Sequence, residues 1–163
     1  MKRLVLMRHA KSGWDDPTLD DHDRVLNGRG RSSARMLGDW LRAHDLLPDV
    51  ALVSDAARTR ETFERLKLDC AGRLLPALYE AGPEQMWAIL HRAQGETVLM
   101  IGHNPGIGWL AQNLVADAPP HPRFFDYPTG ATLVAEFDVV DWSGIGTGKG
   151  RAIEFIIPRE LTG

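Results

Sequence analysis

The stretch Lys2-Arg3-Leu4-Val5-Leu6-Met7-Arg8-His9-Ala10-Lys11-Ser12-Gly13 decides how the chain is read. Leu4 to Met7 is an apolar run too short for a helix and bounded by charged and turn-forming residues, so it reads as a buried strand. Arg8 and His9 then stand where the strand ends and a loop begins. Ligands of an open α/β sheet bind outside the carboxyl ends of its strands, and a charged pair at that edge is poor packing material. Two other stretches repeat the arrangement. Val50-Ala51-Leu52-Val53 leads into Ser54-Asp55-Ala56-Ala57-Arg58, and Thr97-Val98-Leu99-Met100-Ile101 into Gly102-His103-Asn104-Pro105-Gly106. If these strands are parallel neighbours, Arg8, His9, Arg58 and His103 converge on one pocket.

That combination suits a phosphoryl group. Guanidinium forks match phosphate oxygens bidentately and stay charged at any working pH. A neutral imidazole can attack phosphorus and form a covalent intermediate, and neighbouring positive charge disfavours imidazolium, which keeps the nucleophile unprotonated. Arg60 is the rival of Arg58, but Arg58 lies nearer the strand end, in the first turn of the helix that follows.

Working outward, 163 residues with 44% hydrophobic and 25% charged residues predict one domain spanning 1–163 with a sizeable core. A net charge of -3 and a pI near 6.0 exclude the global basic field of a non-specific nucleic-acid binder. Cys70 is the one cysteine, which excludes an internal disulfide and a multi-cysteine zinc site and favours a cytoplasmic protein. The charged start Met1-Lys2-Arg3 is followed by too few apolar residues for a signal peptide, and no run approaches a membrane span.

Trp14 to Asn27 is polar and reads as a loop over the sheet edge. Its cluster Asp20-Asp21-His22-Asp23 matches no calcium-loop spacing and reads as solvated rather than metal-binding. Gly28 to His44 predicts a helix with Ala34, Leu37 and Leu41 on its apolar face. A second helix follows Ser54-Asp55, either of which is placed to cap it, and runs to about Leu68. Leu74 to Leu78 predicts a short edge strand because it holds Pro76, and Pro83 starts a third helix. A fourth begins with Asn104 as N-cap and Pro105 at its first position, which sets His103 beside free backbone N–H groups. Ala131–Val139 and Ala152–Ile157 are strand-like and joined by a Gly-rich segment. The expectation is an α/β fold: a three-layer α/β/α sandwich with a mostly parallel central sheet and a C-terminal β-hairpin. Gly106-Ile107-Gly108-Trp109-Leu110-Ala111 fits a dinucleotide-binding pattern, but no strand ending in an acidic residue follows about 20 residues on, so the pattern is set aside.

Arg8-His9-Ala10 resembles the signature of the histidine phosphatase superfamily. More narrowly, Arg8 to Ser12, Asp23-Arg24-Val25-Leu26-Asn27-Gly28-Arg29-Gly30, Ser54 to Thr62, Gly102 to Pro105 and Pro128-Thr129-Gly130-Ala131 resemble, in order, the SixA-type phosphohistidine phosphatase branch. The resemblance implies that His9 is the nucleophile, with Arg8, Arg58 and His103 around the phosphate and Arg24 and Asn104 as further substrate-binding residues. Water would hydrolyse the intermediate, with no metal or cofactor. Val25 and Asp55 depart from the pattern where proline is usual. Glu80 falls where many superfamily members place a general acid. The implied partner is a phosphorylated protein, a phosphohistidine carrier. The alternatives are a small phosphomonoester, or a non-catalytic module that binds phosphate or phosphoprotein.

Overall fold

The computed structural model describes residues 1–161, so the last two residues of the expected 1–163 domain lie outside it. Helices and strands come in the order β1 (Lys2–Arg8), α1 (Gly28–Ala43), β2 (Val50–Ser54), α2 (Ala57–Leu66), β3 (Ala71–Leu75), α3 (Pro83–His91), β4 (Thr97–Gly102), α4 (Gly106–Leu114), β5 (Thr132–Phe137) and β6 (Arg151–Ile156). They form one sheet in the order β3-β2-β4-β1-β5-β6. The pairs β2–β3, β2–β4 and β1–β4 are parallel, while β1–β5 and β5–β6 are antiparallel.

The apolar run in β1 does not alternate because both faces of the strand are covered. Leu4 and Leu6 pack with Met86 and Leu90 of α3 and Ile107 and Leu110 of α4. Val5 and Met7 pack on the other side with Leu37 and Leu41 of α1 and Leu66 of α2. All four β1 residues are fully buried. The result is the expected three layers. Arg8 is in register with Gly102, and Val53 with Ile101, so β1, β4 and β2 end level along one edge of the sheet. The strands carrying the three charged junctions are therefore adjacent and parallel.

Several local expectations need correction. The edge strand is Ala71–Leu75, and Pro76–Leu78 is a 3-10 turn, since a proline at the ladder's end cannot extend it. α2 stops at Leu66 because Lys67 takes a left-handed conformation, φ +56°. Its N-cap is Ala56, so neither Ser54 nor Asp55 fills that position; Ser54 Oγ accepts from Ala56 N at 3.4 Å, and Asp55 pairs with His22. α4 begins at Gly106 with Pro105 as N-cap, although Asn104 Oδ1 still accepts from Gly108 N at 3.2 Å. The glycines at 106 and 108, set aside above as a cofactor motif, serve packing: a Cβ at Gly106 would lie 2.1 Å from the Ala81 carbonyl oxygen. Gly30 is similarly constrained, its Cβ position falling 2.0 Å from the Lys11 carbonyl oxygen, which draws α1 against the loop after β1. Among the described residues, no helix is long and apolar enough to cross a membrane.

Candidate active site

His9 lies just past β1 and is pinned on both sides by backbone. Its N–H donates to Gly102 O at 3.1 Å, and its carbonyl accepts from Gly130 N at 2.9 Å. Ala10 N donates to Thr62 Oγ1 at 3.0 Å, and that hydroxyl in turn donates to Arg58 O at 2.7 Å, so α2 is tied to the same loop. The ring's Nδ1 is 2.7 Å from Ala10 O. A carbonyl only accepts, so Nδ1 carries the proton and Nε2 is bare. Arg58 Nε donates to that bare nitrogen at 3.4 Å. Burial, above all, drops His9 to about 3; the bond to Ala10 opposes this, and His103, Arg8 and Arg58 push it further down. The imidazole is neutral at physiological pH, with its lone pair on Nε2 directed toward Arg58.

His103, at the end of β4, stands with its ring centroid 5.3 Å from that of His9. Its Nε2 is 2.8 Å from Ser54 Oγ at the end of β2. Burial first, and Arg58 next, hold it at about 4. Among the described residues, His103 Nδ1 and Arg8 Nε are the two buried side-chain polar atoms without a hydrogen-bond partner. Both belong to this site, where a polar group brought by a ligand would satisfy them. Arg8 is held from behind, donating from Nη1 to Tyr127 O at 3.2 Å. The free N–H groups expected beside His103 are largely committed, since Ile107 N donates to His103 O at 2.8 Å and Gly108 N to Asn104.

Arg58 projects from the first turn of α2 and is buried, whereas Arg60 is exposed and lines a different surface hollow. Arg58 donates from Nη1 to Asp21 O at 2.7 Å and from Nη2 to Asp21 Oδ2 at 3.1 Å. The same carboxylate accepts from Arg24 Nε at 3.2 Å and from the Tyr79 hydroxyl at 2.6 Å. Tyr79's bond is the largest reason Asp21 is held at about 2, and Asp21 in turn pushes the Tyr79 phenol up to about 12. Arg24 also donates to Ser12 Oγ at 2.9 Å and lies flat beneath Trp14, its Cζ 3.4 Å from the ring centroid. The acidic loop is solvent-exposed at Asp20, Asp21 and Asp23, and within it Asp21 is the counter-ion of two site arginines.

Arg8, His9, Arg24, Arg58, His103 and Asn104 all line one pocket of about 320 Å³, with Lys11 and Thr129 at its edge. Asn104 contributes through position: its amide donates to Asp126 O and Tyr127 O at 3.0 and 2.9 Å, fastening the loop before β5. Glu80 is not brought in. It is exposed, with backbone φ +58°, and does not line the pocket. Tyr79 is the residue of that turn that reaches the site, its ring 5.5 Å from His103. Asp21, Tyr79 and Tyr127 gave no signal in the local pattern, since their roles come from pairings across distant parts of the chain. Among the described residues, no group of three or more His, Cys, Asp or Glu is placed to hold a metal ion. The arrangement offers a neutral, tautomer-fixed imidazole facing a cluster of guanidinium groups, which is what nucleophilic attack on an anionic phosphorus requires.

The profile of the Histidine phosphatase superfamily (branch 1) matches residues 4–86. An uncharacterised protein of Mycobacterium tuberculosis is 33% identical over 160 residues, covering 94% of this chain and 100% of its own. The phosphohistidine phosphatase SixA of Escherichia coli is 28% identical over 153 residues, 89% of each chain. A solved structure from Nakamurella multipartitia, assigned as a phosphohistidine phosphatase SixA, superposes with a TM-score of 0.86 at 28% identity over 96% of both chains.

Proposed function

The chain belongs to the histidine phosphatase superfamily, and from that premise we propose that it hydrolyses phosphohistidine on a protein, passing the phosphoryl group through His9. The observation that carries the reading is the bare Nε2 of His9, fixed by the bond from Nδ1 to Ala10 O and facing Arg58. The Nε2 lone pair attacks phosphorus, the substrate's P–N bond breaks, and the departing imidazole leaves neutral because its ring is already protonated. Arg8 and Arg58 balance charge on the phosphoryl oxygens. Water then attacks the phosphorus on His9, the electron pair of the P–Nε2 bond returns to nitrogen, and the water's proton leaves with inorganic phosphate.

The acid inventory of the site favours a P–N over a P–O bond. An alkoxide leaving group needs a general acid, typically worth about 10² to 10⁴ in rate. Glu80 stands outside the pocket, and Asp21, held at about 2, is ionised at neutral pH. A protonated imidazole leaves without such help. Among the relatives whose names state a substrate, SixA of Escherichia coli, matched over 89% of both chains, is a phosphohistidine phosphatase, which supports the same choice, whereas the phosphoglycerate mutases of Mycobacterium are matched over 48% of their own length.

The test is phosphate release from a phosphohistidine carrier protein and from an aryl phosphate, side by side, by wild type and His9→Ala. Preference for the carrier, loss of both activities in His9→Ala, and an acid-labile, alkali-stable phosphoryl label on wild type support the reading. Turnover of the aryl phosphate alone makes the protein a small-molecule phosphatase. Phosphate binding without turnover makes it a binding module.

A further inference from the structure

A groove of about 390 Å³ opens beside the catalytic pocket and shares Lys11 and Thr129 with it. Its walls come from parts of the chain that meet only in the fold: Arg29 and Met36 on α1, Arg123 and Pro128 before β5, and Ile157 and Arg159 after β6. With Lys11, four cationic side chains line it, and no Asp or Glu is among the lining residues. This concentration occurs in a chain whose net charge is -3. Arg123 is partly balanced by Asp126 at 2.8 Å. Lys11 and Arg29 are exposed and make no ion pair among the described residues.

The lining has two characters. Lys11 and Arg29 ask for an anion, while Met36, Pro128 and Ile157 offer an apolar surface that a bare phosphate has no use for. A peptide segment carrying both acidic and apolar side chains satisfies both. We propose that this groove binds an acidic, partly apolar segment flanking the phosphorylated residue of the protein substrate, so that flanking sequence selects which phosphoprotein is hydrolysed. The inference takes its substrate from the phosphohistidine reading and its location from the groove's own lining. Because Lys11 and Thr129 belong to both hollows, a chain leaving the catalytic pocket enters the groove directly. Charge complementarity of this kind acts on encounter and binding more than on chemistry.

The experiment uses two synthetic phosphohistidine peptides, one flanked by glutamate and leucine and the other by lysine and serine. With wild type at about 50 mM salt, the acidic peptide is expected to show a kcat/KM about tenfold higher, carried by KM, and the gap narrows at about 0.5 M salt. Arg29→Glu erases the preference, Arg29→Lys keeps most of it, and p-nitrophenyl phosphate hydrolysis is unchanged in both variants. Equal kcat/KM for the two peptides, or a preference that survives Arg29→Glu, overturns the inference. If neither peptide is hydrolysed, the phosphohistidine reading fails, and the same flanks built around phosphotyrosine decide the groove separately: preference for the acidic flank supports it, equality overturns it.

Discussion

Acid is expected to unfold this protein through its own site. His9 and His103 are only 5% and 7% exposed, and burial foremost holds them at about 3 and about 4. In an unfolded chain a histidine titrates near 6.5, so below that pH the unfolded state binds two protons that the folded state refuses. Stability falls wherever the unfolded state binds more protons. The contribution is therefore complete above about pH 6.5 and is lost as pH drops toward the folded values. Each histidine costs about 1.4 kcal/mol per pH unit over that range, so at pH 5 the pair costs about 4 kcal/mol. That is a large share of a typical total of about 5–15 kcal/mol. Asp21, Glu61, Glu136 and Glu160 are all held below their ordinary values. Their contribution is present above the unfolded carboxylate range and lost below it, near pH 4, so the interval from pH 7.5 to 5 isolates the histidines. Urea unfolding at those two pH values is the assay. Wild type is expected to lose about 4 kcal/mol, and His103→Gln about half of that. A wild-type loss under about 1 kcal/mol, or a variant losing as much as wild type, refutes the reasoning.

Three further outcomes follow from the geometry. Arg58→Lys keeps a charge but loses the planar fork that spans His9 and Asp21, so steady-state kinetics should show kcat/KM reduced by about 10² or more, close to Arg58→Ala. Tyr127→Phe strips the hydroxyl that donates to Leu6 O and accepts from Leu133 N, leaving two buried backbone groups with one partner fewer; a loss of about 1–3 kcal/mol in denaturant unfolding is expected, with the pH–activity profile unchanged. Gly30→Ala gains helix propensity but drives a Cβ to 2.0 Å from the Lys11 carbonyl oxygen, so thermal melting should show net destabilisation of about 1–2 kcal/mol rather than a gain.

The residues of the candidate site were legible where the chain's own apolar runs announce them. Leu4–Met7 and Thr97–Ile101 are buried on both faces, so each run's end is marked by the first charged or polar side chain, Arg8 after one and His103 after the other. Arg58 was legible because a short strand followed at once by a helix fixes which arginine sits nearest the edge. Asp21 was not. Its neighbours Asp20, His22 and Asp23 make an equally good solvated loop, and only the approach of α2 and Tyr79 singles it out. Glu80 misled for the converse reason: its distance along the chain suits a general acid, but a left-handed backbone at that residue accompanies an exposed side chain, and Tyr79 takes the place beside His103. Helix ends were blurred wherever side chains tied to another segment displaced a local cap, as with Asp55 drawn to His22.

Trp14, resting on Arg24 at the mouth of the pocket, gives the protein an optical reporter of its own. Of the five tryptophans it is the most solvent-accessible at 73%, while Trp40 and Trp142 are fixed in the interior at 8% and 1%. The indole is placed by one face-on contact with a guanidinium rather than by packing. An anion that recruits Arg24 changes what lies under that ring and so changes its emission, while the interior indoles supply a constant background. Occupancy of the site can then be followed in unlabelled wild-type protein, in real time and without waiting for a product to accumulate.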